Sequence, residues 1–360
     1  MGKIISFFNH KGGVGKTTNV HNIACALREL GKKVLVVDAD PQMNMTARLA
    51  GFSMESEYKD EDGTKWREFN AAYTSLDEVI YSAIRGEETP SNFYLQDFNT
   101  TNNGSINLIA SSFHLAELET DLVDIIKRNN TFDRGRIYNI EKFFREQLLK
   151  DYEFILIDFS PSASSIINGI LMMMSDYFIV PTFPTLFSLQ AIENLENVIK
   201  NWSQVLENQK QTSTSHGLSF KPKFLGLIIS AVKRRTTKGI TNPTATTEKW
   251  IELVNTRIKN FYSYAYDVDR AISENKFKEI FPLYSPFILG ISYDFTLAVR
   301  TAAEDAGKSE YDLTEEELPF IAESKREDSY GNPTKVDQYK ETHKFIKETY
   351  SYIAECLTKL

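Results

Sequence analysis

A chain of 360 residues, 42% hydrophobic and 25% charged, has the makeup of an ordinary globular protein, long enough for one large α/β domain with a small appendage. No run of about 18 uncharged apolar residues occurs, which argues against a helical membrane span. Cys25 and Cys356 are the only cysteines, which argues against a disulfide framework, a Cys-based zinc site or an iron–sulfur cluster within one subunit, and the net charge of −8 disfavours a globally cationic nucleic-acid binder while leaving room for a local basic face.

The elements begin with a βαβ unit: an apolar strand over 3–8, a glycine-rich loop, a helix over about 17–30 stopped by Gly31, and a strand over 33–38. Ile23, Ala26, Leu27 and Leu30 share one face of that helix, as packing on a sheet requires. With the chain entering a strand and the loop at once, there is no room for a signal peptide, and a cytoplasmic location is expected. A short helix follows Asp40-Pro41 up to Ala50, and the polar stretch 52–72 reads as an exposed insertion.

A helix is expected over 76–84, a loop through Ser105, a strand over 106–110, and amphipathic helices over 115–128 and 137–150. The near-continuous apolar run 154–158 ends in a carboxylate, as a central parallel strand does. Beyond it come a helix over 166–174, a strand over 177–181, a long helix over 186–206, a polar connector to 221, a strand over 224–230, and helices over 247–259 and 337–357. This alternation predicts an α/β fold with a doubly wound, mostly parallel sheet, and ligands at the carboxyl ends of its strands.

The loop reads Asn9-His-Lys-Gly-Gly-Val-Gly-Lys-Thr-Thr18. Gly12, Gly13 and Gly15 let the backbone aim successive N–H groups at phosphate oxygens. Lys16 brings charge to the β- and γ-phosphates, and the Thr17 hydroxyl is a Mg²⁺ ligand candidate. His10 replaces the first glycine of the usual pattern and reads as a tolerated loop residue rather than an acid–base catalyst. A second lysine, Lys11, stands where the ordinary motif asks for nothing. Asp38 and Asp40 follow one apolar strand and Asp158 ends another, where a P-loop protein needs carboxylates for Mg²⁺. Asp158 fits the metal role, Asp40 opens a loop that can meet Mg²⁺ or an attacking water, and Asp38 reads as structural.

Lys11-Gly-Gly-Val-Gly-Lys-Thr-Thr18 with Val36-Val-Asp-Ala-Asp-Pro-Gln42 resembles the ParA/MinD family of deviant Walker A ATPases, the ParA (Soj-type) partition branch best of all. Leu108-Ile-Ala-Ser-Ser-Phe-His-Leu-Ala-Glu-Leu-Glu119 is similar to the family's LIPAN…LA..E segment. Residues 152–162 resemble its Walker B and switch II segment, with Phe159-Ser160 where Cys/Ala/Thr-Pro is more usual. Residues 226–236 resemble the G…LTMYDxRT segment, with Lys233 in place of the usual Asp, and 299–308 resemble VRLAEAPSHGKP more faintly. The match is most specific over 9–46 and weak after about 240; the 52–72 insertion and the stretch 309–335 have no counterpart.

The resemblance implies a single P-loop ATPase domain over 1–360 of the deviant Walker A (SIMIBI) type, with 309–360 as a C-terminal extension packing on it. It implies ATP held by Lys11, Gly12, Gly13, Val14, Gly15, Lys16, Thr17 and Thr18, and Mg²⁺ at Thr17, Asp40 and Asp158, with Lys11, Lys16 and Asp40 catalytic. Lys11 corresponds to the signature lysine that reaches the nucleotide of the other subunit in an ATP-bound homodimer. Weak turnover, stimulated by an adaptor protein, and non-specific DNA binding near the nucleoid are implied as well. Lys233, Arg234, Arg235, Lys238 and Arg300 are the DNA candidates, with Arg270, Lys340, Lys344 and Lys347 weaker ones. No helix-turn-helix precedes the loop, so any DNA contact should be non-specific. The tail carries Glu348 and Glu355 with few cations, so it reads as packing on the sheet rather than as a MinD-like membrane anchor. A nucleotide-dependent switch that docks another protein without binding DNA stays open as the alternative.

Overall fold

The computed structural model of the chain describes residues 2–50, 57–59, 65–67, 73–96, 103–128, 130–212, 216–237, 240–284, 286–295, 297–314, 316–318 and 335–360. β1 (Lys3–Phe7), α1 (Lys16–Glu29) and β2 (Lys33–Ala39) form the expected crossover, and α2 (Asn44–Ala50) follows. Within the insertion, β3 (Glu57–Lys59) and β4 (Lys65–Arg67) pair as an antiparallel ribbon, and the rest of 52–72 lies outside the described residues.

α3 (Leu76–Arg85), β5 (Tyr94–Gln96), β6 (Ser105–Ile109) and α4 (Leu115–Arg128) come next. α5 (Thr131–Phe143) continues through a π turn into α6 (Leu149–Asp151). β7 (Phe154–Phe159), α7 (Ile166–Met174), β8 (Tyr177–Thr182), α8 (Leu186–Val205) and β9 (Lys223–Val232) agree closely with the sequence reading. β10 (Arg234–Thr237) and β11 (Ile240–Pro243) make an antiparallel hairpin, followed by α9 (Ala245–Asp267), α10 (Glu274–Ile280), β12 (Ile288–Tyr293), α11 (Leu297–Ala306) and α12 (Lys335–Leu357).

The main sheet has the order β12-β9-β8-β1-β7-β2-β6-β5, parallel throughout except for β5, which pairs antiparallel with β6 at the edge. From β1 the chain crosses over β7 to β2, whereas from β7 it crosses in the opposite direction to β8. Right-handed crossovers in opposite senses place their helices on opposite faces, so α1 covers one face and α7 the other. α12 packs beside α1 and reaches β12. Every residue of β7 and β8 is buried, as strands covered on both faces must be. On the α7 face Phe8 meets Trp202 edge-on, ring centroids 4.8 Å apart.

Several elements depart from the sequence reading, and β3, β4, β10, β11 and α11 have no counterpart in it. β5 falls inside the expected loop before Ser105; three residues carry no readable alternation, and β6 supplies the pairing. α5 starts at Thr131 rather than 137 because the Asn130 side chain accepts from the Asp133 N–H at 2.9 Å and caps it. α10 and β12 were not expected at all, the latter broken in pattern by Gly290 and irregular in register with β9.

Candidate nucleotide-binding site

The loop leaves β1 at the sheet's switch point, between the ends of β7 and β8. Phe8 donates its N–H to Ile179 O at 3.0 Å, and Asn9 Nδ2 donates to Pro181 O at 2.9 Å. Asn9 Oδ1 also accepts from the Lys11 N–H at 2.9 Å, so one buried amide ties the front of the loop to β8. Gly13 (φ 70°) and Gly15 (φ 83°) adopt the left-handed backbone that favours glycine. Gly15 is the N-cap of α1, with no side-chain cap and no acidic residue in the first turn. That helix end keeps its N–H groups and positive dipole for an external anion.

Lys16 is buried, and its ammonium donates to Asn9 O at 3.1 Å and Lys11 O at 3.3 Å. Burial pulls its pKa down, against the pull of Asp158 and Asp40. Lys11 behaves differently: its ammonium rests over the exposed Phe187 ring, 5.2 Å from the centroid. Burial, with Lys16 nearby, lowers the pKa of His10 and favours its neutral imidazole.

The strand register assembles the carboxylates. Asp158 is paired with Phe7 on one side and Asp38 on the other. Asp38 accepts from Thr46 N (2.8 Å), Thr46 Oγ1 (2.7 Å) and the Asp40 N–H (3.1 Å), so it braces the Asp40 loop from below. Burial nevertheless pushes its pKa up to about 6. Asp40 accepts from the Gln42 N–H at 3.0 Å, and its carbonyl accepts from Ser111 Oγ at 2.7 Å. Asp158 is buried with neither carboxylate oxygen hydrogen-bonded, and burial, aided by Asp38, pushes it up to about 8 against Thr17 and Lys16. An unpartnered buried carboxylate beside a lysine and a threonine suits a hydrated cation. No group of three acidic, His or Cys side chains among the described residues forms a protein cage for a metal. Mg²⁺, which keeps waters and takes one or two carboxylates plus phosphate oxygens, fits Thr17, Asp40 and Asp158.

Behind Asp158 the loop 160–165 is held at both ends. Asn168 Nδ2 donates to Ser160 O, Ser160 Oγ and Ser162 O at 3.0–3.1 Å. Glu119, the last residue of the LA..E segment, accepts from the N–H groups of Ile166 and Ile167 and from Ser165 Oγ, capping α7. Asn9 and Asn168 escaped the sequence reading; Asn168 lies three residues past the Ser165 cap, but spacing alone cannot show that it turns back to the loop.

A cavity of about 840 Å³ opens over the loop, lined by Gly12, Gly13, Gly15, Lys16, Thr17, Thr18 and Asp40, and extends to Tyr293, Arg300 and Glu304. Arg300 therefore lines the same cavity as the phosphate loop; it pairs with Asp294 at 3.2 Å. Lys233 is exposed at the start of the β10–β11 hairpin that carries Arg234 and Arg235, whose side chains, like Lys238, lie outside the described residues. Arg270 is half-buried over Phe220 and Lys347 sits on Tyr311, 3.9 Å from its centroid, so neither stands free for a phosphate backbone.

Fold and site together define a P-loop nucleotide-binding protein. The family described as an AAA domain matches residues 2–212. The sporulation initiation inhibitor Soj of Bacillus subtilis is 27% identical over 201 residues, 56% of this chain and 66% of the relative. The chromosome-partitioning ATPase Soj of Treponema pallidum is 29% identical over 201 residues, 56% of this chain and 64% of the relative. The solved structure of pNOB8 ParA bound to nonspecific DNA is 19% identical, with a TM-score of 0.53 over 100% of this chain and 98% of that one, a likeness of fold. The chain belongs to this family, as a P-loop ATPase of the ParA/MinD type. It spans just under two thirds of the length of these two curated relatives.

Proposed function

We propose that the protein is an ATP-dependent partition or positioning ATPase that dimerises on MgATP, binds DNA non-specifically and hydrolyses ATP slowly until an adaptor stimulates it. The observation that carries this reading is the division of labour between the two loop lysines. Lys16 is buried inside its own phosphate site, whereas Lys11 lies outward on the exposed Phe187. That difference supports a role for Lys11 at a nucleotide held by a second copy, where it would stabilise developing charge as an arginine finger does.

In this reading Gly12, Gly13, Val14, Gly15, Thr17 and Thr18 hold the polyphosphate. Thr17, Asp40 and Asp158 would hold Mg²⁺, which would supply neutralisation of phosphate charge when bound, and Asp40, fixed through Ser111, would order the attacking water. Lys233, Arg234, Arg235 and Lys238 on or beside the β10–β11 hairpin supply phosphate contacts to DNA. A relative named for chromosome partitioning and a ParA bound to nonspecific DNA support this direction. No helix among the described residues is long and apolar enough to cross a membrane. The apolar face of α12 (Ile346, Tyr350, Ile353, Leu357) is buried against the body, which leaves no amphipathic anchor there.

The deciding experiment is filter binding of random-sequence DNA with ATP or ADP, alongside the mass of the nucleotide-loaded, hydrolysis-blocked protein in solution. ATP-dependent retention by a dimer supports the reading. A dimer that ignores DNA turns it into the protein-docking switch, and a strict monomer overturns it.

A further inference from the structure

The phosphate-loop helix is completed by residues from the far end of the chain, outside the matched span 2–212. Glu310 is buried and accepts from Arg48 Nη2 at 2.6 Å and Asn22 Nδ2 at 3.1 Å. Arg48, from α2, also donates through Nη1 to Thr18 Oγ1 at 3.1 Å. Its side chain keeps 22% of its surface open, and it lines the nucleotide cavity together with Thr18. Two of its five N–H donors are thus used in holding it, and three remain. The guanidinium is a cation held against Thr18, in the first turn of α1, within the cavity that the phosphate loop also lines. A polyphosphate bound at Gly12–Thr17 runs its α-phosphate past that turn, and planar guanidinium groups match phosphate oxygens closely.

We propose that Arg48, held in place by Glu310 of the C-terminal segment, is a nucleotide-binding residue that grips the α-phosphate common to ADP and ATP. This rests on the nucleotide reading above and assigns a contact for which no motif in the sequence calls. Because both nucleotides carry the group, the effect on binding must be shared between them.

The test is equilibrium binding of MgADP and MgATP for three variants. Arg48→Ala leaves Glu310 as an unpaired buried charge and can lower stability by itself. The double variant R48M/E310Q removes both charges at similar volume and keeps the test clear of that. Arg48→Lys keeps the charge but cannot reach Thr18 and Glu310 together. We expect both dissociation constants to rise about 10- to 100-fold in R48M/E310Q. Their ratio should hold, with partial recovery of both affinities in Arg48→Lys. Unchanged ADP and ATP affinities in a folded R48M/E310Q protein overturn the assignment and leave the pair as scaffolding. If the unaltered protein itself fails to bind either nucleotide, it is the nucleotide reading that falls.

Discussion

Asp38 and Asp158 are register partners across β2 and β7, two carboxylates side by side at the ends of adjacent buried strands. Asp38 is satisfied by Thr46 and the Asp40 N–H; Asp158 is not hydrogen-bonded and carries the larger cost of burial. Its pKa of about 8 in the folded protein lies above the value of about 4 of an unfolded chain. Between those two values the folded state holds a proton that the unfolded state has released, so this group makes stability fall as pH rises.

For the nucleotide-free protein, unfolding free energy should therefore decline from about pH 5 to about pH 8, by up to about 1.4 kcal/mol per pH unit from Asp158, and the melting temperature should fall with it. Asp158→Asn should flatten that decline and raise the melting temperature at the alkaline end. Thermal melts across the range check it. Calorimetry in buffers of different ionisation heat should also show MgADP binding near pH 7 releasing a proton, and that release should vanish in Asp158→Asn. A pH-independent melt would mean Asp158 ionises freely.

Lys16→Ala and Lys11→Ala should fail in different ways. The first removes a buried ammonium from the phosphate site and should weaken nucleotide binding by about 100-fold or more. The second should leave ATP binding near normal and reduce partner-stimulated turnover by on the order of 10³. Binding and turnover measured on both variants separate the two, and unchanged turnover in Lys11→Ala would remove the role across subunits.

Asn168→Ala should loosen the loop behind Asp158. Three hydrogen bonds from a fully buried amide are lost, with a cost of about 2–3 kcal/mol in urea unfolding. Turnover should drop further than the stability change explains at temperatures where the variant is folded. Parallel denaturation and turnover curves would reduce Asn168 to a stability element.

Replacing Arg234 and Arg235 by Glu should abolish DNA retention and leave ATP-dependent dimerisation intact. In the unaltered protein the logarithm of DNA affinity should fall with the logarithm of salt, about 0.9 for each phosphate neutralised. Retention that survives the double change would shift the DNA face elsewhere on the molecule.

Much of this was legible before any coordinates. The buried strands β1, β2, β7 and β8 announce themselves as apolar runs, and Lys11 to Thr18 with Asp40 and Asp158 mark the site because phosphate chemistry tolerates few alternatives. The structure places Lys16, Thr17, Asp40 and Asp158 near one another at the switch point of the sheet. Other features depend on what a segment meets rather than on what it contains. β5 exists because β6 offers an edge, and Arg300 faces the cavity because α11 follows β12. Glu310 finds Arg48 across 262 positions of chain, a distance that no local pattern spans.

Tyr350 of α12 donates to Asn19 Oδ1 at 3.0 Å, and Asn19 in turn holds Gly15 O and Ser230 Oγ. Together with Glu310, it ties α1 and α2 to residues 331 and 262 positions downstream. A change in α12 or at Glu310 therefore reaches the first turn of α1 through Asn19 and Arg48, although neither segment belongs to the loop itself.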